Sequence, residues 1–221
     1  MNKQYIIDRL VKEEPNNYNL FVQILDRLSE DNKDTLSMIE LGCGSAYYSA
    51  IFHETFKHKA KNILVEPNIQ WWKDFGETYF SDKKNFYFFN NYIENLIWAH
   101  WGGPNDAFAL QLQKETPQIS IEQILQDTNT EYADILHMDM QGSEYYVLDN
   151  IIKSNLITKF NYIFIMTHDF NDINYQSYIK LLTDSKLSYE LIHNNENYRE
   201  NGDGLIILKM NINTNNNAKS I

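Results

Sequence analysis

The stretch that decides the fold of this chain reads Met38-Ile-Glu-Leu-Gly-Cys-Gly-Ser-Ala-Tyr-Tyr-Ser49. It predicts an apolar strand over 36–41, a turn through two glycines, and a helix that Ser45 caps. A second strand over 62–65 follows, and it ends in Glu66. A strand, a glycine turn, a helix and a strand that ends in an acid are typical of the nucleotide site of a doubly wound sheet.

The residues around the turn distinguish between nucleotide ligands. A dinucleotide fingerprint would place Gly or Ala where this chain has Tyr47, and Glu40 before the turn would repel phosphates. S-adenosylmethionine fits better, because it offers a ribose to Glu66 and an ammonium group to Glu40, and it has no phosphate. We predict that Gly42 and Gly44 join Glu40 around the methionine end. A plain glycine turn between core elements, with both acids solvated, is the alternative.

Composition limits the range of functions. The length of 221 residues suits one domain, which we place over 1–210. A formal charge of −11 without a basic run disfavours binding to nucleic acid or anionic membranes. Cys43 is the only cysteine, and the sequence has neither a signal-peptide pattern nor an apolar run that could span a membrane. We therefore expect a cytoplasmic protein without a membrane span that does not bind nucleic acid.

Apolar periodicity divides the chain into one α/β unit. Helices at 3–13 and 18–29 form an N-terminal segment over 1–30, and a Rossmann-like core extends over 31–210. Within the core we predict helices at 69–80, 119–125 and 175–182, strands at 86–89, 135–138 and 161–166, and an antiparallel pair at 189–193 and 205–210. The tail over 211–221 is rich in asparagine, which predicts disorder.

Two features flank the predicted cofactor site. Asn90 and Asn91 end the strand at 86–89, and the end of the third strand in such a sheet lies beside the adenine. We predict that they bond the base, with a simple strand-ending turn as the alternative. The irregular segment over 92–117 is rich in aromatic residues, which would either stack on an acceptor or anchor the loop.

Three motifs follow one another in a recognisable order. An acid, a glycine and an aromatic pair with a serine occur at Glu40, Gly42 and Tyr47-Tyr48-Ser49. The other two are Val65-Glu66-Pro67 and Met138-Asp139-Met140-Gln141-Gly142-Ser143-Glu144. Together they resemble the motifs of FkbM-type S-adenosylmethionine-dependent methyltransferases over about residues 36–210.

The resemblance implies a class I methyltransferase fold, with a doubly wound, mostly parallel sheet and an antiparallel last strand. It implies O-methylation of a hydroxyl on a small molecule or glycan, such as a sugar or a secondary metabolite, and it places Tyr47 in the cofactor site. The chain departs from the family at Gly44 and Ala46, where Asn and Gly are usual. It also has Met166 where an acid often stands two positions before His168.

Polar residues follow the fourth and fifth predicted strands, at the edge where the methyl group would be transferred. Asp139 ends the fourth strand, and His168 and Asp169 follow the fifth. We predict that His168 is a general base and that Asp139 serves both catalysis and cofactor binding. Asp139 and Asp169 could also hold a divalent cation such as Mg²⁺. The alternatives are a histidine base without metal, and structural roles in which Asp139 bonds loop amides and His168 packs at the strand end.

Two other classes of protein remain open. A nicotinamide-dependent oxidoreductase uses a similar sheet, although Tyr47 and Glu40 speak against it. A noncatalytic module that keeps the fold and binds the cofactor is the other class, and it would explain why Met166 replaces the acid that the family often has.

Overall fold

The computed structural model describes residues 3–13, 15–74, 76–93, 114–169, 172–197 and 203–211. Most of the predicted binding loop, residues 94–113, lies outside the described residues. The predicted tail also lies outside them, except for Asn211.

The first half of the chain alternates helices and strands. Its elements are α1 (Lys3–Glu13), α2 (Pro15–Ser29), β1 (Leu36–Leu41), α3 (Tyr47–Phe56), β2 (Ala60–Val65), α4 (Ile69–Asp74), α5 (Gly76–Phe80) and β3 (Phe86–Phe89). The second half continues with β4 (Tyr92–Ile93), β5 (Gln118–Ile119), α6 (Ile121–Asp127), β6 (Ala133–Met138), α7 (Glu144–Lys153), β7 (Phe160–Thr167), α8 (Tyr175–Asp184), β8 (Tyr189–Asn195) and β9 (Gly204–Met210). Among the described residues, no helix is long and apolar enough to cross a bilayer.

Seven of the described strands form one sheet in the order β3-β2-β1-β6-β7-β9-β8. Strands β3, β2, β1, β6 and β7 pair in parallel, and β9, the last described strand, is antiparallel to both β7 and β8. Strands β4 and β5 form a separate parallel pair beside the undescribed loop. The predicted mostly parallel sheet with an antiparallel last strand is confirmed.

Helices cover both faces of this sheet. Met38 of β1 points into a cluster with α1, α2 and α3, whereas its neighbour Ile39 points into a second cluster with α6, α7 and α8. Successive residues of a strand face opposite sides, so an apolar run buried on both faces is what a parallel sheet requires. The doubly wound, Rossmann-like class I fold is therefore confirmed.

Several elements differ from the prediction. Helix α2 includes Pro15, which lies before the predicted start, and proline is tolerated in the first turn of a helix. The predicted helix over 69–80 corresponds to α4 and α5, and residue 75 between them lies outside the described residues. The helix predicted from 119 begins at Ile121, because Gln118–Ile119 forms β5 and Ser120 caps the helix. Ser45 does not cap α3: Ala46 takes the capping position in the left-handed conformation, with φ 59°, and no side chain accepts a bond there.

The carboxyl ends of β1, β2 and β6 approach one another closely at Gly42. Its φ is +72°, and its N–H donates to the carbonyl oxygen of Val65 at 2.9 Å. The N–H of Asp139 donates to the carbonyl of Leu41 at 3.0 Å, directly beside this turn. A Cβ on Gly42 would lie 2.1 Å from the carbonyl oxygen of Asp139. Only glycine therefore fits between the ends of β1, β2 and β6.

A buried carboxylate joins β1 to α3. Glu40 is 2% exposed, and its Oε2 accepts hydrogen bonds from the backbone N–H of Ser49 at 3.2 Å and from the Ser49 hydroxyl. Burial raises the pKa of Glu40 to about 8, although both bonds from Ser49 oppose the rise. The side chain therefore lies under the glycine turn, between the sheet and the helix.

Replacing Gly42 tests the close approach of the strands. We expect Gly42→Ala to lower the free energy of unfolding by about 2–5 kcal/mol, from left-handed strain plus overpacking against Asp139. Gly44→Ala is the matched control, because Gly44 also has a positive φ, +48°, but a Cβ there would meet nothing within 4 Å. The control should lose only about 1–2 kcal/mol. Equal losses in urea unfolding would contradict the proposed crowding at Gly42.

Candidate active site

A cavity opens at the carboxyl ends of β1, β2 and β6. The strand order reverses here, because β2 and β3 lie on one side of β1 and β6 and β7 lie on the other. Doubly wound sheets bind ligands at such a crevice. The described residues that line it are Gly42, Val65, Glu66, Pro67, Asn68, Trp71, Asn91, Tyr92, Ile93, Asp139, Met140, Gln141 and Ser143. Four sequence-predicted site residues are among them: Gly42, Glu66, Asn91 and Asp139.

Glu66 is held in place by the backbone around it. Its Oε2 accepts from the N–H of Gly44 at 2.9 Å, and its Oε1 accepts from the N–H of Asn68 at 2.7 Å. We expected acids solvated at strand ends as the alternative to a ligand site, but Glu66 is 2% exposed. Burial raises its pKa to about 7, against the effect of the two backbone bonds. The carboxylate thus faces the cavity in a fixed orientation.

The two asparagines after β3 have different positions. Asn90 donates from Nδ2 to the carbonyl oxygens of Glu66 and Pro67, each at 2.9 Å, so it ties β3 to the turn after β2. Asn91 lines the cavity and donates to the carbonyl of Pro117 at 3.2 Å. The cavity wall also includes Trp71, whose side chain is 40% exposed. Asn91 rather than Asn90 is placed to meet a ligand.

Three other predicted cofactor residues do not line the cavity. Glu40 faces Ser49 beneath the turn, and Gly44 reaches the site through its N–H bond to Glu66. Tyr47 is half-buried beside Tyr5 of α1, and burial together with this neighbour raises the pKa of Tyr47. Among the described residues, Glu40 and Gly44 therefore support the turn, whereas Tyr47 lies beside α1.

His168 lies at the end of β7 among three carboxylates. Its Nδ1 is 2.9 Å from Oε1 of Glu144, and its Nε2 is 3.5 Å from Oδ1 of Asp139 and 3.8 Å from Oδ2 of Asp203. Burial alone would lower the pKa of His168, but Glu144, Asp139 and Asp203 raise it to about 9. The structure thus brings together His168 and Asp139, the two predicted catalytic residues.

Sequence reasoning missed Glu144 and Asp203 as neighbours of His168. Glu144 is the last residue of the third motif, and this position was the signal that could have identified it. Its contact with His168, however, depends on the register between β6 and β7. The position where the family often has an acid holds Met166, a fully buried core residue whose sulfur lies 3.1 Å from Nδ2 of Asn17. Glu144, rather than a residue at position 166, is the nearest carboxylate to Nδ1 of His168 among the described residues.

The two predicted metal ligands, Asp139 and Asp169, differ in their exposure to solvent. Asp169 is exposed, whereas Asp139 is partly buried beside His168. Among the described residues, the group that could offer several ligand atoms to one ion is Asp139, Glu144 and His168.

Comparisons with known proteins bear on the family and on the fold of this chain. The family model for the methyltransferase FkbM domain matches residues 14–191. The chain is similar in structure to an S-adenosylmethionine-dependent methyltransferase from Aquifex aeolicus, with 8% identity, a TM-score of 0.51, and coverage of 95% of this chain and 99% of that one. It is also similar to SMU.776 complexed with S-adenosylhomocysteine, with 11% identity, a TM-score of 0.50, and coverage of 85% and 48%.

A third similar structure is TrmK of M. capricolum, also complexed with S-adenosylhomocysteine, with 12% identity, a TM-score of 0.46, and coverage of 85% and 67%. No curated protein sequence matches the chain. The structural similarities support the fold alone. Because the family model matches most of its length, the chain belongs to the FkbM methyltransferase family.

Proposed function

We propose that this chain transfers a methyl group from S-adenosylmethionine to a hydroxyl of a neutral small molecule or glycan, such as a sugar or a secondary metabolite. The observation that carries the proposal is the cavity beside the glycine turn, which is bordered by Glu66 and Asp139. Both charged side chains among the described lining residues are acids. Such a site suits a ligand that carries a positive charge and ribose hydroxyls.

The residues present fit this cofactor. Two backbone N–H groups hold Glu66, so that it can accept hydrogen bonds from a ribose without rearrangement. Gly42 borders the cavity, and the N–H of Gly44 holds Glu66. Trp71 and Asn91 also border the cavity, and we propose that the base lies beside them. S-adenosylmethionine supplies an electrophilic methyl group on a positively charged sulfur.

The same cavity disfavours a nicotinamide dinucleotide. A pyrophosphate would need N–H groups or cations, whereas the described lining residues place two carboxylates beside the turn. Specific binding of NADH would revive the oxidoreductase reading. A noncatalytic module would bind the cofactor tightly without turnover on a broad panel of hydroxyl acceptors.

The acceptor side is proposed to lie at His168. A sugar hydroxyl becomes a good nucleophile only when its proton is removed, and Nε2 of His168 is placed beside the cavity residue Asp139. Three carboxylates surround this imidazole, so a phosphate or carboxylate on the acceptor would be repelled. This charge favours a neutral polyol over an anionic acceptor.

Replacing Glu66 tests the ribose contact. Loss of charge-assisted hydrogen bonds in Glu66→Ala should weaken binding of S-adenosylhomocysteine by about 1.5–3 kcal/mol, roughly tenfold to over a hundredfold. Glu131→Ala is the control, because Glu131 is exposed and lies just before β6, at the opposite edge of the sheet from the cavity. Calorimetry gives the affinities.

Because Glu66 is buried, unfolding must be measured alongside affinity. Glu66→Gln keeps the volume and one acceptor oxygen, so it should fold even if the alanine variant does not. Unchanged affinity in either folded variant would remove Glu66 from the cofactor site.

Replacing His168 tests the base. Methyl transfer to neutral polyols should fall by about 10²–10⁴-fold in His168→Gln, whereas the exposed control His58→Gln should keep full turnover. Since Nε2 must lose its proton to act, and the three carboxylates raise the ring's pKa to about 9, wild-type kcat should rise as the pH increases from 6 towards about 9. Rates from labelled cofactor measure both effects.

Treatment with a chelator distinguishes a mechanism in which His168 acts alone from one in which a divalent cation also takes part. Full activity in chelator would leave His168 as a base without metal, and loss restored by Mg²⁺ would support the predicted site at Asp139 and Asp169. A His168→Gln variant with wild-type turnover would discard the histidine.

A further inference from the structure

The carboxylate of Glu144, the first residue of α7, is completely buried. Its Oε1 accepts from the backbone N–H of Met140 at 2.5 Å and lies 2.9 Å from Nδ1 of His168. Its Oε2 accepts from the N–H of Gly142 at 2.8 Å and from the hydroxyl of Tyr178 at 3.5 Å. Both oxygens are therefore satisfied, as a buried carboxylate requires.

These contacts join the cofactor side of the site to the acceptor side. Met140 follows β6 and lines the cavity, whereas His168 follows β7. The turn between β6 and α7 is tight, with a φ of 56° at Gln141 and 104° at Gly142. Because one carboxylate binds both the turn and the imidazole, Glu144 fixes the spacing between them.

The contact with Glu144 also orients the imidazole of His168. An ionised carboxylate only accepts hydrogen bonds, so Nδ1 must carry the hydrogen. Nε2 is buried, and no described residue lies within hydrogen-bond distance of it with suitable geometry. Its nearest charged neighbours are Asp139 and Asp203, at 3.5 Å and 3.8 Å. A neutral ring held in this way leaves Nε2, on the side of the cavity residue Asp139, as the nitrogen that can accept a proton.

A metal ion is the alternative use of this group, because Asp139, Glu144 and His168 offer ligand atoms within 4.8 Å of one another. Glu144, however, contacts the Nδ1 side of the ring and Asp139 the Nε2 side. An ion bound to Nε2 would lie on the opposite side of the imidazole ring from the carboxylate of Glu144, which binds Nδ1–H. The geometry therefore favours an oriented imidazole.

We propose that Glu144 is a positioning residue for methyl transfer, because its carboxylate binds Nδ1 of His168 and the cofactor-side turn together and so directs Nε2 at the acceptor hydroxyl. The inference rests on the proposed function, in which Nε2 takes the acceptor proton. Glu144 itself touches neither cofactor nor acceptor.

The tautomer of His168 is a direct test. Nitrogen-15 NMR of histidine-labelled protein, recorded at increasing pH until the His168 signals stop shifting and the ring is neutral, reports which nitrogen carries the hydrogen. The His168 signals are assigned by their loss in His168→Gln. We expect the hydrogen on Nδ1 in the wild type and a shift towards Nε2–H in Glu144→Gln. Glu122→Gln, an exposed acid in the first turn of α6, should leave the tautomer unchanged.

Kinetics separate positioning from simple support of the fold. In folded Glu144→Gln, kcat should fall about tenfold or more while affinity for S-adenosylhomocysteine changes less than about threefold. Failure of the wild type to bind S-adenosylhomocysteine would reject the proposed function, but the tautomer measurement does not depend on that outcome. An Nε2–H tautomer in the wild type overturns the positioning role even if Glu144→Gln does not fold. An Nδ1–H tautomer that persists in folded Glu144→Gln overturns it as well.

Discussion

The structure depends on the close contact between Gly42 and the end of β6. A positive φ and a carbonyl oxygen where a Cβ would stand leave room for glycine alone. This contact brings the ends of β1, β2 and β6 together, so that the turns after them form one crevice. A ligand at this edge of the sheet would contact residues that follow all three strands, because backbone hydrogen bonds hold the strand ends together here.

Three buried glutamates around this contact share one arrangement. Glu40, Glu66 and Glu144 each accept hydrogen bonds from backbone N–H groups of a nearby turn or helix, which orients the carboxylate and offsets the cost of burial. Burial still raises the pKa of Glu40 and Glu66 to about 8 and about 7. A cation near them favours their ionised forms, and by linkage ionisation favours the cation. Of these three acids, Glu66 lines the cavity, so we propose that it favours a cationic ligand there.

The sequence predicted the fold well because its strongest signals are local. The glycine turn, the acid after β2 and the apolar runs of β1, β6 and β7 depend on residues adjacent in the chain. The misplaced cap at Ser45 has a physical reason, since Ala46 adopts a left-handed conformation that side-chain type does not reveal. The burial of Glu66 was not predicted, because its carboxylate is held partly by the N–H of Gly44, which lies 22 residues away in the chain.

The candidate site was less predictable because its contacts cross between strands. Asp139 and His168 could be placed at one sheet edge from strand order alone. The contact of Glu144 with Nδ1 of His168 depends on the β6–β7 register and on the turn at Gly142, and neither follows from residue type. Asp203 approaches His168 through the antiparallel pairing of β9 with β7, where Thr167 lies opposite Gly204.

We propose that this crevice binds the adenosyl cofactor of a methyltransferase rather than a dinucleotide. The decisive measurement is calorimetric titration of the purified wild-type chain with S-adenosylhomocysteine and, separately, with NADH. We expect saturable binding of about one S-adenosylhomocysteine per chain in the micromolar range, and no saturable binding of NADH. Folded protein that does not bind S-adenosylhomocysteine at millimolar concentration, or that binds NADH more tightly, would contradict this proposal.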